Sequence, residues 1–167
     1  NELSGTIPSD IWYLINLDHL WLYKNYNLMG TIPPEIGNLT NLTQLHLDNN
    51  SLTDTIPSEI WSLIYLESLW LHSNVNLMGT IPSEIGTLTN LNSLWIEHTS
   101  FTGTIPSEIS TLGMLTFLDL SHNSLEGLIP TSLCDFNLDE ITLDLSNNNL
   151  CGHYPTCLPD DKYSDQT

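Results

Sequence analysis

The sequence predicts an α/β solenoid: short stacked turns with a parallel β-sheet on the concave face and extended or 3₁₀ segments on the convex face. Three observations carry this expectation. A motif of the type Gly-Thr-Ile-Pro recurs at residues 5, 30, 54, 79, 103 and 127, a period of 24 or 25 residues. A second pattern, L-x-x-L-x-L-x-x-N-x-L, recurs within each period, as in Leu42, Leu45, Leu47, Asn50 and Leu52. Residues 5–53 laid over 54–102 agree at about 30 of 49 positions, so a two-turn repeat is superimposed on the single one. Self-similarity at such a period marks stacked supersecondary units, none of which can bury its apolar face alone.

The elements of one turn follow from local chemistry. Alternating leucines in L-x-L put one face of a short strand inward, and matching strands must pair in parallel to bury it. The asparagine that follows has an amide with two donors and one acceptor, suited to satisfying backbone groups where the chain bends inward. Gly-x-Ile-Pro then predicts a sharp change of direction and a segment whose proline cannot donate to a sheet, so the back of the turn is expected to be extended or 3₁₀ rather than a long helix. The asparagine ladder has a gap: Thr99 takes the slot in the fourth turn. One residue is inserted after the asparagine at Tyr26 and at Val75, and Glu140 falls where the first leucine of the last turn belongs.

These residues resemble the plant-type subclass of the leucine-rich repeat family, whose consensus runs LxxLxxLxLxxNxLSGxIPxxLGxL. The resemblance covers six turns from Gly5 to Leu150 and implies a right-handed superhelix forming one domain over 1–167, with a C-terminal cap at 151–159 and a polar tail at 160–167. The chain opens on NELSGTIP, the tail of a repeat unit, so an N-terminal cap is expected to lie ahead of residue 1. The end, SLCDFNLDEITLDLSNNNLCGHYPTCLP, resembles the family's C-terminal turn, which implies a Cys134–Cys157 disulfide. Cys151–Cys157 is a competing pair that spacing alone leaves open. Either one requires an oxidising compartment.

Twenty acidic residues stand against two basic ones, Lys24 and Lys162, for a formal net charge of −18. This excludes a nucleic-acid partner, which needs a basic face, and disfavours anionic membrane surfaces. No window reaches the run of about 20 apolar residues of a membrane helix, so no membrane insertion is expected in this segment.

With the strand register set, the non-leucine residues form columns on the concave face. One reads Trp21, His46, Trp70, Trp95, Asp119, Asp144, and the next Tyr23, Asp48, His72, Glu97, Ser121, Ser146. Beyond it lie Lys24, Asn49, Ser73, His98, His122 and Asn147. Tryptophans on exposed strands mark a binding surface, although rings that only stack to stiffen the sheet would give the same pattern. The expected ligand-binding set is Trp21, Tyr23, His46, Asp48, Trp70, His72, Trp95, Glu97, His98, Asp119 and His122. Trp12 and Trp61, on the other side of the turn, are expected to pack inside. His72, Glu97, His98 and His122 near Asp48 offer ligand chemistry without a spaced motif; a pH-dependent contact is expected there and no metal is assigned.

The back carries Asp10, Glu35, Glu59, Glu84 and Glu108, one acid per turn, a solvated face that salt or calcium would screen. Asn38, Asn41 and Asn49 each begin an Asn-x-Ser/Thr sequon and are candidate glycan acceptors. No phosphate loop, activated nucleophile or enclosed pocket pattern is present, so a catalytic role is not expected. The leading reading is an extracellular recognition module, as the resemblance to receptor ectodomains and secreted inhibitor-like proteins implies, for a peptide, protein or glycan. The alternatives are ice or mineral binding through the threonines Thr6, Thr31, Thr55, Thr80 and Thr104, or calcium-bridged adhesion.

Overall fold

The computed structural model describes residues 2–152, 155–159, 162 and 166. Two parallel sheets and a row of 3₁₀ helices run along the stack. The main sheet is built from β2 (His19–Trp21), β4 (Gln44–His46), β6 (Ser68–Trp70), β8 (Ser93–Trp95), β10 (Phe117–Asp119) and β12 (Thr142–Asp144), hydrogen-bonded in chain order. Each is three residues long and centred on the first leucine of L-x-L. Backbone pairing nevertheless continues past the strand ends: Leu47 N–H donates to Trp70 O at 2.9 Å and Asn49 N–H to His72 O at 2.9 Å.

The second sheet was not legible as a sheet from sequence, where its residues were expected only to be extended. It comprises β1 (Ser4–Thr6), β3 (Asn27–Gly30), β5 (Ser51–Thr55), β7 (Asn76–Gly79), β9 (Ser100–Gly103), β11 (Ser124–Gly127) and β13 (Asn149–Leu150), again in sequential parallel order. The proline two or three residues beyond the end of β1, β3, β5, β7, β9 and β11 stops these strands by removing a donor. A 3₁₀ helix of five residues follows: η1 (Ser9–Tyr13), η2 (Pro34–Asn38), η3 (Ser58–Ser62), η4 (Ser83–Thr87), η5 (Ser107–Thr111) and η6 (Thr131–Asp135). Among the described residues there is no α-helix, so the helical component of the expected α/β solenoid is entirely 3₁₀.

Between the three walls lies a single core. Leu45, Leu69, Leu94 and Leu118 are fully buried at matching strand positions, with Leu47, Leu71, Ile96 and Leu120 behind them. Each such side chain contributes roughly 1.5–3 kcal/mol on leaving water. Trp12 and Trp61 are buried, as expected. The equivalent positions in the alternating turns are Gly37 and Gly86, where a Cβ would lie 2.9 Å from Glu59 Cβ and from Thr111 Oγ1. Neighbouring turns approach too closely there for a side chain.

The asparagine ladder is realised bond by bond. Asn74, with no exposed surface, donates from Nδ2 to Leu71 O and to Leu47 O of the preceding turn, both at 2.9 Å, and accepts from Leu52 N–H at 3.0 Å. Asn50, Asn123 and Asn148 repeat the scheme. Thr99 keeps the local rung, its hydroxyl lying 2.9 Å from Ile96 O, and also meets Asn123 Oδ1 of the next turn at 2.6 Å. A hydroxyl has one proton where the amide has two, so it makes no second donation back to the preceding turn.

The chain closes with an unexpected rung. Gln166 Oε1 accepts from Leu150 N–H at 2.9 Å and its Nε2 donates to Leu145 O at 3.1 Å, which are the bonds a ladder asparagine would make one turn further on. Leu145 N–H also donates to Lys162 O at 2.7 Å. The rest of the tail expected at 160–167 lies outside the described residues, but these two cap the last turn. The implied disulfide is present: Cys134 and Cys157 are bonded with Cα atoms 5.8 Å apart, and Cys151 is unpaired and exposed. Two residues of the competing CGHYPTC loop, His153 and Tyr154, lie outside the described residues.

Candidate functional site

The strand register places Trp21, His46, Trp70, Trp95, Asp119 and Asp144 side by side. Their rings form one continuous row. Trp21 and His46 are stacked with centroids 5.6 Å apart, His46 and Trp70 at 4.0 Å, while Trp70 meets Trp95 edge-on at 5.8 Å and Trp95 meets Phe117 at 5.3 Å. The polar atoms of the row are tied to the next strand. Trp21 Nε1 donates to Gln44 Oε1 at 3.2 Å, His46 Nε2 lies 2.8 Å from Ser68 Oγ, and Trp70 Nε1 donates to Ser93 Oγ at 2.8 Å. The next residue in that acceptor column is Phe117, which has nothing to accept with. Trp95 Nε1 therefore donates within its own strand, to Glu97 Oε2 at 2.9 Å.

Exposure along the row is uneven, which corrects the picture of a uniformly solvent-facing aromatic patch. Trp21 is 53% exposed, but His46 and His72 are each only 8% exposed and Asp48 4%. The reason is stacking: His46 lies between two indoles, and His72 lies against Trp95 with centroids 3.7 Å apart. The rings stack on one another, and together they wall a groove. That groove, about 320 Å³, is lined by Tyr23, Lys24, Asp48, Asn49, Trp70, His72 and Trp95. Lys24 and Asn49 were not among the expected site residues, although they stand in the adjoining column.

Asp48 is the electrostatic centre of the groove. Its Oδ2 accepts from Asn49 Nδ2 at 2.9 Å and lies 3.4 Å from His72 Nε2. Its Oδ1 is the one buried side-chain polar atom without a hydrogen-bond partner among the described residues. A buried carboxylate oxygen left unpaired is costly and requires an explanation such as a ligand donor. Burial pushes the His46 and His72 imidazoles below their ordinary value of 6.5, against the opposing pull of the Asp48 carboxylate. At neutral pH the His72–Asp48 contact is therefore made by a neutral ring. Asp119, in contrast, is pushed above its ordinary 3.8 by burial, with hydrogen bonds from Ser121 acting against that shift.

A pH dependence follows. Because both imidazoles bind protons more weakly folded than unfolded, the unfolded state takes up more protons below pH 6.5, and their contribution to stability is lost as pH falls through and below that value. Asp119 acts in the opposite sense, its protonation favouring the native state as pH falls. Groups facing the two rings are Asp48, His19, Lys24, Glu97 and His98. Thermal melts from pH 7.5 to 5.0 should show His46→Gln gaining stability relative to wild type as the pH drops. A difference independent of pH would refute the assignment of a buried neutral His46.

The histidine and carboxylate set considered from sequence is divided by the fold. His72 and Asp48 engage each other in the groove, whereas Glu97, His98 and His122 come together with ligand atoms all within 4.8 Å. His98 and His122 occupy a column of residues in the left-handed backbone region, with φ of 50° and 53°, as do Lys24, Asn49, Ser73 and Asn147. That conformation was not foreseen and belongs to the bend leaving the main sheet. Of the sequon residues, Asn38 and Asn41 are exposed, with Asn41 Nδ2 donating to Ile15 O at 2.8 Å, while the Asn49 amide is engaged by Asp48. The threonines Thr6, Thr31, Thr55, Thr80 and Thr104 are exposed. The back acids lie at the start of the 3₁₀ helices, where Glu59, Glu84 and Glu108 accept from the preceding serine hydroxyls. Among the described residues no helix is long and apolar enough to cross a membrane.

Comparison with known proteins matches residues 2–135 to the family described as leucine-rich repeat region, and residues 141–160 to a single leucine-rich repeat. No curated protein matches the sequence. Among solved structures, the chain is similar to the ectodomain of the Arabidopsis receptor kinase HAESA in complex with an extended IDA peptide hormone, at 37% identity and TM-score 0.87 over 93% of this chain and 25% of that one. It is also similar to the ectodomain of the Arabidopsis thaliana membrane receptor kinase GASSHO1/SCHENGEN3 bound to CASPARIAN STRIP INTEGRITY FACTOR 2, at 36% identity and TM-score 0.85 over all of this chain and 23% of that one. A chain of the Arabidopsis thaliana BIR3–SERK2 complex matches at 36% identity and TM-score 0.69 over 84% of this chain and 73% of its own. The chain thus spans about a quarter of the length of the HAESA and GASSHO1/SCHENGEN3 ectodomains.

Proposed function

This chain belongs to the leucine-rich repeat family, and we propose from that premise that it is a ligand-recognising part of an extracellular receptor-type ectodomain whose main sheet binds a peptide. The observation that carries this reading is the row of stacked rings flanking a groove in which Asp48 Oδ1 has no partner. Four rings on adjacent strands span about 14 Å at the strand spacing, the length of some four extended peptide residues. Rigid aromatic anchors beside a desolvated polar group are what binding hot spots are made of. Asp48 calls for a donor: an ammonium, guanidinium, amide or hydroxyl of the ligand. The similarity to the HAESA ectodomain, solved with a peptide hormone, supports a peptide over a glycan. An oxidising, extracellular setting is supported by the Cys134–Cys157 bond and by the same relatives. Asn38 and Asn41 are the sequon residues best placed to carry glycans, because one attached at Asn49 would intrude on the groove.

The test is binding of a peptide library and a glycan array to the purified chain, repeated with Trp70→Ala, Trp95→Ala and Asp48→Asn. Each substitution should weaken the peptides selected by wild type at least about 30-fold, the effect of losing a hot-spot side chain. Unchanged affinity in both tryptophan variants would sink the reading, and glycans selected without peptides would replace the ligand class.

A further inference from the structure

We propose that Glu97, His98 and His122 form a binding site for one divalent transition-metal ion of the zinc class. Two imidazoles and a carboxylate are a donor set that zinc takes readily, and their ligand atoms already lie within 4.8 Å of one another. Ligand atoms around tetrahedral zinc stand about 3.3 Å apart, given bonds of about 2.0–2.1 Å. His98 Nε2 and Glu97 Oε1 are already 3.2 Å apart. The His98 and His122 rings are stacked with centroids at 4.0 Å and planes 17° apart, so sharing an ion requires these two exposed side chains to rotate out of the stack and turn their in-plane lone pairs onto one point.

The carboxylate is held for this purpose by a neighbour that is not a ligand. Trp95 Nε1 donates to Glu97 Oε2 at 2.9 Å, leaving Oε1 toward His98. Such outer hydrogen bonds orient metal ligands and sharpen affinity. Their origin here is the substitution of Phe117 in the acceptor column, which turns the Trp95 indole back onto its own strand. Both imidazoles are projected by the left-handed backbone that every residue of their column adopts. Flanking positions in the column are uncharged, with Ser73 on one side and Asn147 on the other, the Asn147 amide nitrogen lying 3.4 Å from His122 Nε2. The chain's charge of −18 draws cations toward it. Calcium is not the expected occupant, since it needs six or more oxygen ligands and this cluster supplies one carboxylate.

Isothermal titration of the folded chain with zinc chloride, in a non-chelating buffer at pH 7.5, tests the proposal. Wild type should take up one high-affinity ion per chain. His98→Asn and His122→Asn should each weaken that event at least about tenfold. Both variants keep the fold, because Asn49 and Asn147 already occupy equivalent positions with φ near 55°. As a second readout, stoichiometric copper(II) should quench the emission of wild type more than that of either variant, since Trp95 bonds directly to Glu97. Zinc uptake unchanged in both variants would assign it to acidic groups elsewhere and overturn the site, as would the absence of any saturable uptake.

Discussion

Asn74→Ala is expected to lower the stability of the chain by about 3–5 kcal/mol, which is a large part of what a domain of this size has in reserve. The alanine leaves the Leu71 carbonyl and the Leu52 N–H, both in the core of the stack, without their amide partner, and the Leu47 carbonyl with the Asn50 amide alone. Each buried backbone group left unsatisfied costs roughly 1–3 kcal/mol, and no water reaches a position with no exposed surface to replace the bonds. Equilibrium urea unfolding followed by circular dichroism measures the loss. The same logic predicts a gain for Thr99→Asn of about 1 kcal/mol, because the amide's second proton restores the rung to the preceding turn that the hydroxyl lacks. An Asn74→Ala variant within 1 kcal/mol of wild type would show that the ladder is not a principal inter-turn tie.

Cys134→Ser is expected to cost about 3 kcal/mol, the chain-entropy value for a cross-link closing a loop of this size. The two cysteines are 23 residues apart, and the bond joins η6 to the cap that follows the last turn. Its loss also releases the segment carrying Lys162 and Gln166, whose bonds to Leu145 and Leu150 close the open end of the stack. An uncapped solenoid end exposes core and frays. Thermal melts of Cys134→Ser and Cys151→Ser, with and without reductant, distinguish the pairings. Cys151→Ser should melt like wild type and remain sensitive to reduction. If Cys151→Ser instead reproduced the loss, the functional bridge would be the alternative Cys151–Cys157 pair.

Much of this architecture was readable from spacing. Leu94, Ile96 and Phe101 are core and Trp95, Glu97 and His98 are not, and that division follows from the alternation of a strand once its register is known. The column order Trp21, His46, Trp70, Trp95 was likewise correct residue by residue. The Cys134–Cys157 bond followed from resemblance, whereas spacing alone had left two pairings open.

Burial was the weak point, because it depends on neighbours contributed by turns 24 or 25 residues away. His46 reads as a surface histidine in its own strand, and it becomes a buried neutral ring only because indoles from the strands before and after close on it. The second sheet is hidden from the sequence for a related reason. Its strands carry no clean apolar alternation, and they pair only because stacking at a constant pitch brings identical backbone segments into hydrogen-bonding distance.

The one-dimensional order of this protein is written in its repeats: the period, the strand register, the core columns, the asparagine ladder and its defect at Thr99. Periodicity suffices for these, since every turn meets the next in the same way. How side chains of different size divide the space between turns is settled in three dimensions. The tertiary structure seated His72 against Trp95, left Asp48 Oδ1 unpaired in a groove, gathered His98 and His122 beside Glu97, and gave Gln166 the role of a final rung. Those outcomes rest on rotamers, hydrogen-bond competition and local departures from the repeat, such as Phe117 where a serine would have accepted the Trp95 proton. A repeating pattern carries no record of them.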